Sequence, residues 1–492
     1  MRNFIIKFIA LVGIVCLGAN SAWPQMATIN EVTKVAHNWI SLVVSERGCW
    51  GNYPYAEPQM IQNLYNKDEK IIGYYCQVKP AGFIVISLRK ELAPVKAYSA
   101  YSNFDPSSEE SVSHLIKEKM TLILDTIEKQ LGPLESIIKQ NLTSILEVDY
   151  SSAWDNLLSN EPAKSINKDV PSGSGKNNYQ EGEIMLLGNN WHQHPPFNED
   201  CPYLGCTTPS NGRAFVGCVA TAGAQIMYHW NWPPYGSAVV PYNDAYDWPN
   251  MLDVVTTSSP QVTIDAVAEL GYEVALAVNM DFGCEGSGAA MYDMEGVFED
   301  YYRYSEDCMV TWRQNYTATT WFNMLKGQFN LNRPVEYGII GHAIVGDGWQ
   351  EIGSPVVKQY HMNWGWTGTS NDTWYTLDEL PDGGLNIEHI VGNIYPSASV
   401  GTSISGTYYE LIFPYRYFDR DSYGSSATFA QGNNLQFLEN VEVVGTGTST
   451  YVRFDGTLND PTRLFTAGVL SHGIFINNGT IRLKNSGSIK LQ

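Results

Sequence analysis

A cysteine at the start of an apolar segment is the residue best placed to act as a nucleophile. Residues 217–230 read GCVATAGAQIMYHW, with apolar and small side chains at the three-four spacing of one buried helix face. Cys218 falls in the first turn of this predicted helix, where unpaired N–H groups and the helix dipole favour an anion and lower a thiol pKa. The pattern fits an activated thiolate, and it also fits a small cysteine packed at a helix start.

Two later motifs contain the base that such a thiol needs. His342 lies at the mouth of a short apolar strand in GHAIVGDG, and Asn363 and Trp364 lie in YHMNWGWTG. An amide oxygen can accept the imidazole Nδ1–H and orient the base, while an indole covers that bond from water. His342 follows Cys218 by 124 residues, and Asn363 follows Cys218 by 145. This order and these separations are close to those of papain-type peptidases.

A polar segment upstream of the cysteine contains a candidate oxyanion donor. In WHQHPPFNEDCP, Gln193 could donate a side-chain N–H that, with the backbone N–H of Cys218, would bind the oxyanion of a tetrahedral intermediate. His192 and His194 could instead suggest a metal, but no HExxH pattern or further His or Cys cluster accompanies them. We therefore expect no metal and no organic cofactor.

A glycine-rich segment gives candidates for substrate binding. Residues 281–290, DFGCEGSGAA, lack the Gly-Lys-Ser/Thr ending of a phosphate-binding loop. We interpret the segment as a wall of the substrate cleft that contains Gly283 and Ser287, with an ordinary surface turn as the alternative. Gly341 and Trp366, which flank the candidate base and the Asn-Trp pair, complete the predicted substrate-binding set.

Composition and charge narrow the class of protein. The chain has 492 residues, of which 44% are hydrophobic and 12% aromatic, so it can form several folded domains. Asp and Glu number 51 against 30 Lys and Arg, which gives a formal charge of -21. Such a surface repels nucleic-acid phosphates and offers no basic stripe for anionic lipid, so we expect no nucleic-acid partner.

The first residues are typical of a secretory signal. Arg2 and Lys7 precede an apolar stretch over residues 8–17, and small residues follow up to residue 22. The stretch is too short for a membrane span, and no later segment approaches the required length. We expect a chain without a membrane span, located outside the cell, in the periplasm or at the cell surface.

The cysteines suggest disulfides in an oxidising compartment. Eight are present, and removal of Cys16 with the signal leaves seven, so at least one stays unpaired. Cys218 stands alone in its apolar segment and is the predicted free thiol. The other six allow 15 pairings, and proximity in sequence alone favours Cys49 with Cys76, Cys201 with Cys206, and Cys284 with Cys308.

The remaining patterns divide the chain. A helix is predicted near residues 30–44, strands over 71–78 and 82–88, and two helices within 108–146 that Gly132-Pro133 separates. Residues 160–183 are polar and rich in Gly, Ser and Lys, which favours an exposed linker that proteases can cut. Residues 401–492 contain short β-prone runs between turn residues and predict a separate β-rich module.

Taken together, these motifs resemble the streptopain family of secreted bacterial cysteine peptidases. The similarity rests on GCVATAGAQIMYHW, GHAIVGDG, MNWGWTG and WHQHPPFNEDCP, and it extends to residues 81–99, which are similar to the family propeptide. The resemblance implies an α+β, papain-like peptidase of two subdomains. A helical part would carry the cysteine helix, and an antiparallel β part would carry His342 and Asn363.

The resemblance also implies a domain order and residue roles. Residues 1–22 would be the signal peptide, 23–182 an α/β inhibitory propeptide with its linker, 183–398 the peptidase and 399–492 the β-rich module, which has no counterpart in streptopain itself. The implied roles are the nucleophile for Cys218, the general base for His342, the orienting amide for Asn363, the covering indole for Trp364, a second indole for Trp366 and the oxyanion donor for Gln193.

The expected function is that of a secreted cysteine endopeptidase made as a zymogen. Its partners would be protein or peptide substrates and its own propeptide as an intramolecular inhibitor, with the β-rich module as a candidate contact with a surface or matrix. The alternative is a catalytically inactive binding or inhibitor protein on the same scaffold. Another acyl transfer by the same thiol, such as amidase or transpeptidase activity, also stays open, because the catalytic residues do not determine which molecule accepts the acyl group.

Overall fold

The structure, a computed structural model, covers most of the predicted propeptide and peptidase. Its described residues are 25–108, 112–159, 180–182, 184–233, 236, 246–366, 372–376, 380, 388–396 and the strands between 406 and 491. The predicted signal over residues 1–22 lies outside them, as does the predicted linker apart from residues 180–182. Among the described residues, no helix is both long enough and apolar enough to cross a bilayer.

Helices and strands alternate along the chain. The helices are α1 (Ile29–Arg47), α2 (Val112–Leu131), α3 (Lys139–Thr143), α4 (Ser151–Ser159), α5 (Cys218–Trp230), α6 (Gln261–Ala277), α7 (Met294–Gly296) and α8 (Ala318–Asn330). The strands up to residue 396 are β1 (Glu57–Tyr65), β2 (Ile71–Lys79), β3 (Phe83–Ser87), β4 (Val95–Ser99), β5 (Gln180–Glu181), β6 (Tyr203–Cys206), β7 (Gly212–Arg213), β8 (Met309–Trp312), β9 (Val335–Ile339), β10 (His342–Ile352), β11 (Val357–Asn363), β12 (Thr373–Tyr375) and β13 (His389–Gly392).

One antiparallel sheet runs through both the predicted propeptide and the predicted peptidase. Its strand order within the described residues is β1-β2-β3-β4-β12-β11-β10-β9-β13-β8, and β5 pairs with β10. The two parts meet where Tyr98 of β4 pairs with Trp374 of β12. Helices that pack on an antiparallel sheet confirm the predicted α+β class.

Two hydrophobic cores lie on opposite faces of this sheet. Successive side chains of a strand point to opposite faces, and in β10 Ala343 and Val345 join one core while Ile344 joins the other. The first core contains α1, α2 and α8, and the second surrounds α5 and α6. Every residue of α5 after Cys218 is buried, although the helix includes the polar residues Thr221, Gln225 and His229. The helical part therefore contains Cys218, as expected.

The local elements of the predicted propeptide agree with the sequence patterns. The helix predicted near residues 30–44 is α1, which begins at a Thr28 capping box and ends at Gly48. The helical run over 108–146 is divided as predicted, because α2 ends at Leu131 and Gly132 adopts a φ of 89°. The sequence analysis missed α4, a nine-residue helix whose buried Trp154 donates to the Leu92 oxygen.

Buried ion pairs also join the two parts. Lys119 of α2 pairs with Glu388, and both side chains are almost fully buried. Arg313, which is fully buried, pairs with Glu147 at 2.8 Å. Since breaking a buried pair leaves an uncompensated charge, these contacts favour the docked arrangement once it has formed.

The predicted disulfide pairings are wrong. The described cysteines form one disulfide, between Cys206 and Cys284, which are 78 residues apart in sequence. Cys49, Cys76, Cys201 and Cys308 are free, as is Cys218. Proximity in sequence failed as a guide because folding brings the loop that contains Cys284 beside the β6–β7 hairpin. The prediction of an unpaired Cys218 is confirmed.

The C-terminal segment is β-rich, as predicted. Its strands are β14 (Gly406–Phe413), β15 (Tyr417–Asp419), β16 (Ala427–Phe437), β17 (Val441–Val444), β18 (Tyr451–Phe454), β19 (Leu464–Thr466), β20 (Ile474–Asn477), β21 (Ile481–Leu483) and β22 (Ser488–Leu491). Parallel pairing gives the orders β14-β16-β20 and β15-β17-β21, while β18 pairs in parallel with β22 and antiparallel with β19.

Candidate active site

Cys218 is the first residue of α5, where the sequence predicted a helix start. Gly217 before it has a φ of 94°, which L side chains rarely adopt. A Cβ on Gly217 would lie 2.5 Å from the Met280 sulfur and 3.2 Å from the Ser287 main-chain oxygen, so only glycine fits here. The half-buried thiol is therefore held against the unpaired N–H groups of the first helical turn.

His342 is the first residue of β10 and lies beside the thiol. A tight turn at residues 340–341 joins β9 to β10, and Gly341 in this turn has a φ of 67°. The imidazole is 8% exposed and forms a hydrogen bond with the Cys218 sulfur. The structure thus brings together the two residues that the sequence proposed as nucleophile and base.

The charges of this pair support each other. Burial raises the pKa of the Cys218 thiol. The charge and hydrogen bond of His342 lower it, as do the N–H groups of Ala343 and Val219. Together these contributions outweigh burial, so the thiol pKa is lowered. Burial lowers the pKa of His342, but Cys218 and the Trp364 main-chain oxygen outweigh it, so the imidazole pKa is raised. Opposite shifts of this kind favour a thiolate and an imidazolium over two neutral groups.

A main-chain oxygen, and not the predicted amide, holds the imidazole. His342 Nε2 lies 3.0 Å from the Trp364 oxygen. Asn363 Oδ1 instead accepts from Gly365 N and Gln225 Nε2, each at 3.0 Å. The predicted direct bond from the imidazole Nδ1–H to Asn363 is therefore absent, because the Asn363 amide is engaged by α5 and by its own chain.

The two indoles of this segment do not lie where the sequence predicted. The Trp366 ring contacts the His342 ring edge to face, with centroids 5.4 Å apart. The Trp364 ring is 1% exposed and packs in the first core against Tyr375, with centroids 5.7 Å apart. Trp366 therefore covers the His342 imidazole, and Trp364 holds that imidazole through its main-chain oxygen. Trp366, which the sequence analysis placed among the substrate-binding residues, lies at the catalytic pair.

Residues 191–375 match the Peptidase C10 family profile. We refer to this part of the chain as the C10 domain. The match and the relatives make it similar to the cysteine peptidases of the streptopain type. The match begins at Trp191 and includes Cys218, His342 and Asn363.

Known relatives of the C10 domain are thiol proteases. Thiol protease/hemagglutinin PrtT of Porphyromonas gingivalis is 32% identical over 214 residues, which are 40% of this chain and 24% of PrtT. Streptopain of Streptococcus pyogenes is 24% identical over 359 residues, which are 67% of this chain and 80% of streptopain. The chain thus spans about a quarter of the length of PrtT. A solved fragment of Prevotella intermedia prointerpain A covers 69% of this chain with a TM-score of 0.48 at 24% identity, and the chain covers 99% of that fragment.

The segment with Gln193 lies next to the nucleophile in the C10 domain. Val216 N donates to the Gln193 main-chain oxygen at 3.2 Å, which places Gln193 beside the residues that lead into Cys218. The role of its side chain as an oxyanion donor stays a prediction. Burial lowers the pKa of neighbouring His192 to about 3, with a further contribution from His194, so His192 is neutral at physiological pH.

The glycine-rich loop of the C10 domain forms a wall beside Cys218. Ser287 Oγ donates to the Phe215 oxygen at 2.7 Å and accepts from Gly283 N at 3.1 Å, while Cys284 forms the disulfide with Cys206. The Ser287 hydroxyl thus holds the loop in place. Substrate contact by Gly283 and Ser287 stays a prediction.

Gly341 faces the predicted propeptide. Together with Ile340, it lines a cavity of about 310 Å³ whose opposite wall includes His114 and Lys117 of α2. The turn next to the catalytic base is therefore adjacent to α2. Substrate contact by Gly341 also stays a prediction.

The sequence analysis missed two buried polar residues of the C10 domain. Gln225, seven residues after Cys218 on α5, was taken as part of an apolar helix, although an amide in such a helix is itself a signal. Glu336 of β9 is fully buried, and neither carboxyl oxygen has a hydrogen-bond partner. Burial, followed by the charge of Cys218, raises the pKa of Glu336 well above its usual range, so this acid is neutral.

Proposed function

We propose that this chain is an exported cysteine endopeptidase that is made as a zymogen. The observation that supports this most strongly is the Cys218–His342 pair, in which a lowered thiol pKa meets a raised imidazole pKa at the start of a buried helix. A thiolate is the nucleophilic form of cysteine, and a neighbouring imidazolium is the acid that a departing amine needs.

The position of the imidazole indicates which nitrogen moves the proton. A carbonyl oxygen can only accept, so Nε2, which lies 3.0 Å from the Trp364 oxygen, carries a hydrogen in both charge states of the ring. Nδ1 is then the nitrogen that exchanges a proton with the thiol and the substrate. The Trp364 oxygen holds the correct tautomer of the base.

Peptide hydrolysis would proceed in two steps. The Cys218 thiolate attacks the scissile carbonyl, the C–N bond breaks, and His342 gives its Nδ1 proton to the leaving amine. His342 then takes a proton from water, which attacks the thioester and releases the acid and the thiol. In both steps the Cys218 main-chain N–H and the Gln193 side chain would bind the oxyanion.

Residues 23–182 would act as the inhibitory propeptide. The continuous sheet across β4 and β12, the buried pair Lys119–Glu388 and the approach of α2 to Gly341 support tight docking on the peptidase. Cleavage within residues 160–183 would release the peptidase. In this proposal the signal at residues 1–22 directs export, and residues 399–492 contact a surface or matrix.

The rival function is an inactive binding or inhibitor protein. The intact set of Cys218, His342, Trp366 and the Trp364 oxygen argues against it. A protein that no longer needs peptidase activity is not under selection to keep such an arrangement. The specific observation that favours the enzyme is again the pair of opposed pKa shifts, which a binding protein does not need.

The experiment is expression of the full chain with Cys218→Ala and, as a matched control, Cys49→Ala, which removes another free and half-buried thiol. We expect the wild type and Cys49→Ala to process themselves and to hydrolyse denatured casein, whereas Cys218→Ala does neither. Processing and hydrolysis that persist in Cys218→Ala would refute the proposal.

A further inference from the structure

Gln225 joins three segments of the active site. Its side chain is fully buried on the face of α5 that contains Cys218, two helical turns further along. Its Nε2 donates to the Trp191 main-chain oxygen at 2.8 Å and to Asn363 Oδ1 at 3.0 Å. One amide group therefore connects the nucleophile helix with the end of β11 and with the segment that contains Gln193.

Asn363 passes this restraint to the catalytic base through a single peptide unit. Its Oδ1 also accepts from Gly365 N at 3.0 Å, and its Nδ2 donates to the Asn189 oxygen at 3.1 Å. Gly365 N and the Trp364 oxygen belong to the same planar peptide. A bond that fixes the N–H end of that peptide also fixes the direction of the oxygen that holds His342.

The approach of α5 to this peptide is close. Gly365 has a φ of 61°, and a Cβ there would lie 3.2 Å from Thr221 Cγ2, one turn before Gln225. The positive φ favours glycine, a side chain there would crowd Thr221, and the peptide lies directly against the helix. Movement of α5 relative to β11 would therefore displace the Trp364 oxygen directly.

We propose that Gln225 is a positioning residue that orients His342 through Asn363 and the Trp364–Gly365 peptide, and so couples the base to the helix that carries the nucleophile. The proposal deepens the proposed function and rests on it for the role of the pair. Gln225 touches neither the substrate nor the reacting atoms, so its effect is on the geometry of the thiolate–imidazolium pair.

The unused oxygen of Gln225 argues against a role in packing alone. Gln225 Oε1 is buried and has no hydrogen-bond partner. A buried unpaired acceptor is unfavourable, and methionine of similar volume would fill the same space without it. What glutamine adds at this position is the pair of N–H donations to Trp191 and Asn363.

The test is the pH dependence of Cys218 alkylation by iodoacetamide in the full chain, followed by mass spectrometry of the Cys218 peptide. The variants are Gln225→Met and the matched control Gln359→Met. Gln359 of β11 is likewise a fully buried glutamine, and its Nε2 donates to the Val95 oxygen and to Thr376 Oγ1. Its bonds do not reach the Trp364–Gly365 peptide.

We expect Gln225→Met to move the acidic limb of the alkylation profile to higher pH by about one unit. Alkylation near pH 6 would then be roughly tenfold slower than in the wild type, while the rate above about pH 10 would be unchanged. Gln359→Met should superimpose on the wild type. If Gln225→Met does not fold, Gln225→Glu, which keeps the shape but replaces the donors by an acceptor, should give the same shift.

A Gln225 variant whose profile superimposes on that of the wild type would overturn the inference, and so would an equal shift in Gln359→Met. Alkylation requires no peptide hydrolysis. A chain that shows the predicted shift but cleaves no peptide would defeat the proposed function and leave the positioning role intact.

Discussion

The Nε2 atom of His342 lies 3.0 Å from the main-chain oxygen of Trp364, and the neighbouring Asn363 amide holds that peptide from its other end. The base is thus oriented by the backbone, and the asparagine acts one step away. This relationship divides the roles within the Asn-Trp-Gly-Trp segment and gives each residue a distinct expected phenotype.

Replacement of Asn363 should be damaging but incomplete. In Asn363→Ala the Trp364–Gly365 peptide loses its restraint while the Trp364 oxygen remains, so we expect kcat to fall by roughly 10- to 100-fold with little change in KM. The measurement is steady-state hydrolysis of a peptide substrate, corrected by active-site titration. A loss as complete as that of His342→Ala would contradict this indirect role.

The activity should follow a bell-shaped pH profile. The lowered pKa of Cys218 places the rise of kcat/KM below pH 9.0, the ordinary value for the thiol, because the active form needs the thiolate. The raised pKa of His342 places the fall above pH 6.5, the ordinary value for the imidazole, because the leaving amine needs its proton. Initial rates from pH 4 to 10 test this. A single rise near pH 9 would be the profile of an isolated thiol and would exclude the ion pair.

The two indoles should differ in what they affect. Trp366→Ala exposes the His342 ring to water and weakens the ion pair, so we expect kcat/KM to fall about tenfold and the alkaline limb to move to lower pH. Trp364→Ala removes a buried ring and should lower the free energy of unfolding by about 3–5 kcal/mol. Rate profiles and urea unfolding of both variants separate the effects. Equal pH profiles in Trp366→Ala and the wild type would show that Trp366 does not cover the base.

Much of the site was predictable because its signals are local. The helix at Cys218 follows from apolar spacing and an early glycine, and the strand at His342 follows from a short apolar run between glycines. The base-holding oxygen of Trp364 could not be predicted, since every residue has a main-chain oxygen and only the fold selects one. The choice between Trp364 and Trp366 as the covering indole also depends on the left-handed turn at Gly365, which sequence spacing does not reveal.

Long-range relationships were the least predictable part of the fold. The antiparallel α+β class follows from the mixture of patterns, but the continuous sheet depends on the pairing of Tyr98 with Trp374, which are 276 residues apart. The Cys206–Cys284 disulfide is a similar case, because its partners are close only after the glycine-rich loop has packed beside Cys218.

The buried pair Lys119–Glu388 should stabilise the packing of α2 on the predicted peptidase. Lys119→Met leaves the Glu388 carboxylate buried without its cation, so we expect the full chain to lose about 3 kcal/mol of unfolding free energy. Chemical denaturation in a Cys218→Ala background, which prevents self-cleavage, measures the loss. The control is Lys129→Met, which removes an exposed lysine from the same helix. Equal stabilities of the two variants would mean that the buried pair contributes nothing.

His361 should make stability depend on pH. Burial lowers its pKa, but Asp347, 2.6 Å away, and Asp372 outweigh burial, so its pKa is raised above 6.5 in the folded chain. The stabilisation is therefore fully present below pH 6.5 and is lost as the pH rises through the folded value. We expect the stability difference between the wild type and His361→Gln to shrink from pH 6 to 9 in denaturant unfolding. A difference that grows over this range would contradict the assigned sign.

The most direct test of the account is a titration of the Cys218 thiolate by its absorbance near 240 nm, taken as the difference between each protein and its Cys218→Ala counterpart. In the wild type, the midpoint should lie below 9.0, because the charge and hydrogen bond of His342, together with two main-chain N–H groups, outweigh burial. In His342→Ala, only the N–H groups of Ala343 and Val219 still oppose burial, so the midpoint should rise well above that of the wild type. Equal midpoints in the two proteins would contradict the claim that His342 makes this thiol a nucleophile.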